Sequence, residues 1–189
     1  MNETRTVALS AEPSLLARRV AAVLAGALAV ALGAHLAVPL PGTPVPATFQ
    51  VPAVLIVGGL LGPRLGTASM ALYLVAGAMG LPVFAPGGVP GLVRLIGPTG
   101  GYLLAFPVAA ALVGSIGRIP VDPARLAAAV VAGLVVIHAG GVAQLMVVTG
   151  EWRTAVTLGS LPFLLGDTLK LLIAGLVLWR FSPMTRARL

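Results

Sequence analysis

Cysteine is absent from this chain of 189 residues, and charged residues make up only 9% of it. Without cysteine there are no disulfides, no thiolate metal ligands and no cysteine nucleophile. A soluble globular domain carries about 25% charged residues, whereas 58% of the residues here are hydrophobic and the mean hydropathy is +1.05. This balance indicates an integral membrane protein that crosses the bilayer several times.

Motifs for catalysis, metal binding and nucleic-acid binding are also missing. There is no G-x-x-x-x-G-K-[ST] loop, so the chain is not expected to hydrolyse ATP. The two histidines, His35 and His138, lie in apolar surroundings without a companion at ligand spacing, and no Ser/His/Asp set is recognisable. These absences argue against a metal site, a cofactor and an enzyme. The formal charge is +7, but the arginines are scattered singly, which is typical of topology signals and not of a phosphate-binding surface.

Apolar segments separated by turn residues predict an all-α integral membrane protein with six transmembrane helices. The second segment is barely long enough to span a bilayer, and Gly62-Pro63-Arg64 predicts a tight turn after it. The predicted spans are residues 20–38, 49–61, 65–80, 98–118, 125–148 and 161–180.

Basic residues orient these spans. An even number of spans puts both termini on one side, and a cytoplasmic placement of the termini leaves only Arg94 and Arg153 outside, with Lys170 inside the membrane. The cytoplasmic arginines are then Arg5, Arg18, Arg19, Arg64, Arg118, Arg125, Arg180, Arg186 and Arg188. We therefore expect a cytoplasmic arm at residues 1–14, a membrane domain at 15–181 and a basic cytoplasmic tail at 182–189.

Two stretches rich in proline and glycine interrupt the helical pattern. Residues 39–52 should form an extended external loop, because proline removes backbone donors and restricts the residue before it. Residues 81–97 are too irregular for a span and too apolar for a solvated linker. Such backbone is tolerated at membrane depth only when it is buried in protein or lines a cavity. Residues 149–154 predict an interfacial turn.

The last predicted span carries two charges, Asp167 and Lys170, about a third of the way along it. Residues three apart on a helix share a face, so the two side chains can meet. Because an ionised group at membrane depth costs several kcal/mol, the pair has two interpretations. Either it is a structural ion pair that holds helices together, or it lines a polar pocket for a solute.

The predicted topology brings polar residues together on the external side. The loop before the second span, the irregular segment and the outer third of the last span all face that side. The residues expected to converge there are Gln50, Arg94, Thr99, Tyr102, Asp167 and Lys170. A small solute with one anionic end and one amide-like end would suit this set.

Small residues form a stripe along the first span. Ala17, Ala21, Ala25 and Ala29 recur at a spacing of four, and Ala27 with Ala31 offers a second register. Small-xxx-small stripes allow helices to approach closely. The partner is either another helix of this chain or another protein.

Five sequence blocks, taken in order, resemble the BioY family, the biotin-binding S component of energy-coupling factor (ECF) transporters. The resemblance covers about residues 15–180. The blocks are Pro44-x-Pro46-x-Thr48-x-Gln50, Leu61-Gly62-Pro63-Arg64, Gly80-Leu81-Pro82-Val83-Phe84, Gly97-Pro98-Thr99-Gly100-Gly101-Tyr102 and Gly166-Asp167-x-x-Lys170.

This resemblance implies a six-helix S-component fold that captures biotin from outside. Asp167 would accept a ureido N–H of biotin, Lys170 would donate to the ureido carbonyl, and Arg94 would bind the valerate carboxylate. Gln50 and Tyr102 resemble pocket-lining positions. The aromatics Phe49, Phe84 and Phe163 either pack the thiophane ring or belong to the core.

The resemblance also implies partners: biotin, membrane lipid, a membrane T component docked on the alanine stripe, and two ATPase subunits, with no nucleic acid. The expected location is the bacterial inner or plasma membrane, as a multi-pass protein. Two alternatives stay open at this point. One is a solitary secondary transporter of biotin, although six spans with one charged pair lack the inverted repeat of that class. The other is an S component for a different vitamin.

Overall fold

Helices dominate the computed structural model, which describes residues 14–116 and 122–186. A two-stranded ribbon joins the first two helices, and a 3₁₀ turn at Leu161–Phe163 precedes the last. The elements are α1 (Leu15–His35), β1 (Ala37–Val38), β2 (Ala47–Thr48), α2 (Gln50–Ala78), α3 (Val93–Ile96), α4 (Gly100–Ile116), α5 (Pro123–Thr149), α6 (Trp152–Gly159) and α7 (Leu164–Arg186).

Four helical stretches of the described chain are long and apolar enough to cross a membrane: Leu15–His35, Gln50–Ala78, Pro123–Thr149 and Trp152–Ser182. Helix α4 is equally apolar in character but has only 17 residues. The predicted all-α membrane architecture is confirmed. The number of crossings and the side on which the termini lie stay predictions.

Helix α2 is a hairpin of two arms. Gly62 adopts a left-handed φ of 79° with an extended ψ, and Pro63 follows it, so helical geometry is broken there. Gln50 Nε2 donates to Tyr73 Oη over 2.7 Å, although 23 helical residues would separate the two by about 34 Å. The chain therefore reverses at Gly62, as Gly62-Pro63-Arg64 predicts. Counting the arms separately gives six apolar helical segments.

Glycines let the central helices pack backbone to backbone. Helix α4 contacts the α2 hairpin on one side and α5 on the other, and these contacts are the most extensive in the bundle. A Cβ atom on Gly101 of α4 would lie 2.0 Å from the Gly140 carbonyl oxygen of α5, and one on Gly58 would lie 2.5 Å from the Ala110 carbonyl oxygen. No larger residue fits at these positions without moving a helix.

The loop between α1 and α2 is more ordered than the sequence indicates. The stretch predicted as a loop at residues 39–52 contains β2 and the first residues of α2, and in the ribbon Ala37 pairs with Thr48 and Val38 with Ala47. Thr43 Oγ1 donates to the Leu158 carbonyl over 2.7 Å, which ties the middle of this loop to α6. This loop therefore lies against the end of α6.

Several helix boundaries differ from the predicted spans and turns. The first helix spans Leu15–His35 instead of residues 20–38, because the Ser14 side chain caps it by accepting from the Ala17 N–H. The turn predicted at 149–154 is only Gly150–Glu151, and helix α6 follows it. Helix α7 continues to Arg186, so the tail predicted from residue 182 begins as helix.

Three sequence predictions fall outside the described residues. They are the arm at residues 1–13, the first half of the short connection predicted between the fourth and fifth spans at 119–124, and the positions of Arg5, Arg118 and Arg188. Asp122, which the structure does describe, caps α5 by accepting from the Ala124 N–H over 3.0 Å.

Replacing Gly101 with Ala should destabilise the bundle, since neither the α4 nor the α5 backbone can yield locally; overpacking of this kind costs about 1–3 kcal/mol. Gly175→Ala on α7 is the matched control, because nothing lies within 4 Å of its Cβ position. We expect the control to be neutral or slightly stabilising. Thermal unfolding in detergent measures both, and an equal effect of the two substitutions would contradict backbone contact between α4 and α5.

Candidate binding site

One cavity gathers side chains from the loop before α2, from α2, from the segment between α2 and α4, and from α4, α5 and α7. Its apolar wall comprises Val45, Pro46, Val51, Phe84, Ala85, Leu103, Phe106, Ile137 and Phe163. Its polar lining comprises Thr48, Gln50, Arg94, Thr99, Tyr102, His138, Asp167 and Lys170. An apolar cavity with a few convergent polar groups is the usual form of a small-molecule site. All six residues that the sequence placed together line it; their role in binding stays a prediction.

Asp167 is the centre of the polar lining. Its Oδ1 accepts from Lys170 Nζ at 2.8 Å, and its Oδ2 accepts from His138 Nε2 at 2.7 Å. The Asp167 side chain is only 3% exposed. A buried carboxylate needs such donors to remain stable. The contact that the i,i+3 spacing predicts is therefore present, and a residue of α5 joins it.

His138 and Thr48 are the two polar residues of the lining that the sequence did not assign, and His138 is the one that contacts Asp167. Asp167 lies 29 residues away along the chain, so no short spacing connects the two. The imidazole ring lies between two aromatics, with its centroid 6.2 Å from those of Tyr102 and Phe163. The signal available in the sequence was a lone polar side chain inside an apolar helix, since such a group requires a partner.

Arg94 lies in α3, inside the irregular stretch, and is 9% exposed. Its Nη2 donates to the Ala85 carbonyl over 2.9 Å, and its buried Nε has no hydrogen-bond partner among the described residues. No carboxylate in the described ranges pairs with it. Gly88 packs against the guanidinium, where a Cβ atom would lie 1.1 Å from Nη1. Of residues 81–97, Phe84, Ala85 and Arg94 line this cavity. Arg94 thereby brings in a buried cation that has no carboxylate partner among the described residues.

Gln50 and Tyr102 use their polar atoms within the protein. Gln50 accepts from Thr48 Oγ1 and donates to Tyr73 Oη. Tyr102 Oη donates to the Gly159 carbonyl over 2.5 Å, and its ring fills the space beside Gly141. These two side chains hold the shape of the wall. Thr99 lines the cavity at the start of α4.

The aromatic lining differs in part from the expectation. Phe84 and Phe163 line the cavity, and so does Phe106, which the sequence did not single out. Phe49 is 46% exposed and is not part of the lining, so the interpretation that it packs a ligand ring is wrong. It is the N-cap residue of α2, and its side chain makes no capping hydrogen bond.

The alanine stripe is on the outside of the bundle. Ala17, Ala21, Ala25 and Ala29 are all exposed, whereas Ala31 of the second register is buried. The stripe borders a surface groove whose other walls include Leu60 of α2 and Phe181 and Met184 of α7. Within the described ranges, no group of three or more His, Asp or Glu side chains is arranged to hold a metal ion.

Comparison with known proteins identifies a matching family and several relatives of this chain. The BioY family model matches residues 3–187. The chain is 40% identical over 157 residues to "Biotin transporter BioY" of Thermotoga maritima, covering 82% of this chain and 90% of that protein. It is 36% identical over 169 residues to "Biotin transporter BioY" of Rhodobacter capsulatus, covering 82% and 87%.

The fold is shared with a solved protein. A crystal structure described as the S-component for biotin from an ECF-type ABC transporter superposes with a TM-score of 0.78, at 24% sequence identity, over 86% of this chain and 89% of that one. Together with the apolar helices, these similarities describe a multi-pass membrane protein. The chain belongs to the BioY family.

Proposed function

We propose that this protein is the substrate-capturing S component of an ECF-type biotin transporter and takes biotin from the external side of the membrane. Its relatives are transporters, not enzymes, and two of them at 40% and 36% identity carry the name biotin transporter. The cavity supports a small ligand that carries both a charged and a neutral polar end.

The observation that carries this proposal is the pairing of two unlike polar features in one apolar cavity. Arg94 is a buried cation without a carboxylate partner among the described residues, while Asp167 and Lys170 form a compensated pair. A buried cation is stabilised when a ligand anion forms a hydrogen-bonded ion pair with it. Biotin offers a valerate carboxylate for Arg94 and an uncharged cyclic urea for the pair.

Each group of the ligand has a chemical counterpart. Lys170 donates to the ureido carbonyl, and Asp167, whose oxygens keep free lone pairs, accepts a ureido N–H. The thiophane ring packs on the apolar wall that includes Phe84, Phe106 and Phe163. Gln50, Thr99 and Tyr102 shape the remaining wall. No cofactor is needed for binding of this kind.

Energy for transport comes from other subunits in this proposal. The sequence has no ATP-binding loop, so a T component and two ATPases supply the driving force. The exposed stripe Ala17, Ala21, Ala25 and Ala29, beside a groove between α1, α2 and α7, is the proposed docking surface for the T component. The complex would reside in the bacterial inner or plasma membrane, with both termini cytoplasmic.

The double substitution Asp167→Leu with Lys170→Leu tests whether the pair binds the ligand or only holds helices together. An apolar pair is favourable at membrane depth, so the variant should fold. It should nevertheless lose about 2–4 kcal/mol of biotin binding, roughly 30- to 700-fold in Kd, because the urea loses the donor Lys170 and the acceptor Asp167. Isothermal calorimetry with biotin, riboflavin and thiamine measures this loss and the vitamin preference together.

The control for this experiment is Thr168→Val, an exposed neighbour on α7 that does not line the cavity. A folded double variant that binds biotin within threefold of the unchanged protein would assign the pair to structure alone. An unchanged protein that binds another vitamin but not biotin would overturn the proposed substrate.

Arg94→Gln should weaken binding of biotin selectively. Loss of a charge-assisted hydrogen bond costs about 1.5–3 kcal/mol, whereas biotinamide, which has no carboxylate, should bind both proteins nearly equally. Competition binding against labelled biotin gives both affinities. Arg153→Gln removes an exposed cation of α6 as a control. Equal losses for biotin and biotinamide would contradict a carboxylate contact.

Ala21→Trp with Ala25→Trp should abolish ATP-driven uptake and leave biotin binding intact, because bulk on the stripe keeps a partner helix away. Uptake of radiolabelled biotin into proteoliposomes containing the complete complex measures the first effect, and binding to the isolated protein measures the second. Ala128→Trp places the same bulk on an exposed position of α5. Equal loss of uptake in this control would contradict docking at the stripe.

A further inference from the structure

We infer that His138 contacts the ligand and determines specificity: its Nδ1 accepts the second ureido N–H of biotin, while its Nε2 holds Asp167 in place. This inference rests on the proposed function and extends it to a residue outside the sequence blocks that carry the family resemblance. It divides recognition of the urea between α5 and α7.

The two ring nitrogens of His138 have different surroundings. Nε2 lies 2.7 Å from Asp167 Oδ2. A carboxylate accepts hydrogen bonds and does not donate them, so Nε2 carries the hydrogen in this contact. In the neutral ring, Nδ1 is then a hydrogen-bond acceptor. The Asp167 contact therefore sets the tautomer that leaves an acceptor at Nδ1.

Nδ1 is buried and has no hydrogen-bond partner in the described part of the chain. Buried polar atoms are nearly always paired, and leaving one unpaired costs free energy. His138 lines the same cavity as Asp167 and Lys170. A ligand donor at this position would satisfy the atom, whereas an apolar ligand group would not.

The ligand needs a second acceptor of this kind. A cyclic urea has two N–H groups that diverge on either side of its carbonyl, so one carboxylate cannot accept both. Among the other polar side chains of the lining, Thr48, Gln50 and Tyr102 already make hydrogen bonds within the protein. The Thr99 hydroxyl is not among the buried atoms left without a partner, whereas His138 Nδ1 is. Lys170 and Arg94 only donate. With Asp167 and His138 as acceptors and Lys170 as donor, the polar groups of the urea are all matched.

Tight packing makes this contact selective. The His138 ring lies beside Tyr102 and Phe163, with centroid separations of 6.2 Å to each. A site built around a ligand N–H rejects analogues that lack it, since its own buried atom is then unpaired. His138 should therefore distinguish biotin from analogues methylated on the facing ureido nitrogen.

Two amide substitutions separate the roles of the two ring nitrogens of His138. Glutamine places its amide near Nε2 and asparagine places its amide near Nδ1. His138→Gln can keep the contact with Asp167 but loses the acceptor, so its Kd for biotin should rise about tenfold or more, the scale of one hydrogen bond. His138→Asn loses the contact with Asp167 and keeps an acceptor, so it should bind biotin more tightly than His138→Gln.

Calorimetry with biotin and with its two mono-N-methyl ureido analogues completes the test. The unchanged protein should bind both analogues more weakly than biotin, because each methyl group removes one matched N–H. His138→Gln should lose the discrimination against the analogue methylated on the nitrogen that faces His138 and keep the discrimination against the other. The matched control is His35→Gln, because His35 is the other histidine and hydrogen-bonds only the Ala31 carbonyl of its own helix. It should leave all three affinities unchanged.

The outcomes separate this inference from the proposed function. An unchanged protein that fails to bind biotin overturns the proposed function itself. If biotin binds normally and His138→Gln matches the unchanged protein, only the inference is overturned. A folded His138→Gln variant that loses affinity equally for biotin and both analogues would also overturn it, because a purely structural role for His138 predicts no selectivity.

Discussion

A buried carboxylate inside an apolar helix bundle is the feature on which this site depends. Asp167 can remain charged at that depth only with donors on both oxygens, and it obtains them from Lys170 of its own helix and His138 of α5. The contact between His138 and Asp167 therefore joins α5 to α7. The ion pair of Asp167 and Lys170 fixes the polar end of the cavity, because neither charge can leave without stranding the other.

Close packing of the central helices creates the frame around this pair. The α2 hairpin, α4 and α5 meet through glycines such as Gly58 and Gly101, whose backbones touch facing helices. The irregular segment after α2 carries Arg94 into the cavity. Its buried residues are Phe84, Ala85 and Arg94, whereas residues 86–90 are exposed. The fold thus places a cation and an ion pair in one apolar space.

The binding cavity and the proposed docking face occupy different parts of the fold. Helix α1 contributes no residue to the cavity lining, and its contacts are mainly with α2. Its alanine stripe is exposed, beside a groove formed with α2 and α7. Helices α2 and α7 contribute to both the cavity and the groove. They are the elements through which ligand binding and partner docking could be coupled.

Local chemistry in the sequence determined the class of the protein, the reversal at Gly62-Pro63, the cavity-lining role of the proline- and glycine-rich segment and the contact between Asp167 and Lys170. Each depends on hydropathy or on residues a few positions apart. Only the tertiary structure brought His138 to Asp167, exposed one alanine register and moved Phe49 out of the lining. It also left Arg94 without a carboxylate partner among the described residues. These outcomes depend on how helices far apart in the chain are rotated against one another, and hydrophobic periodicity does not specify that rotation when nearly every face of a helix is apolar.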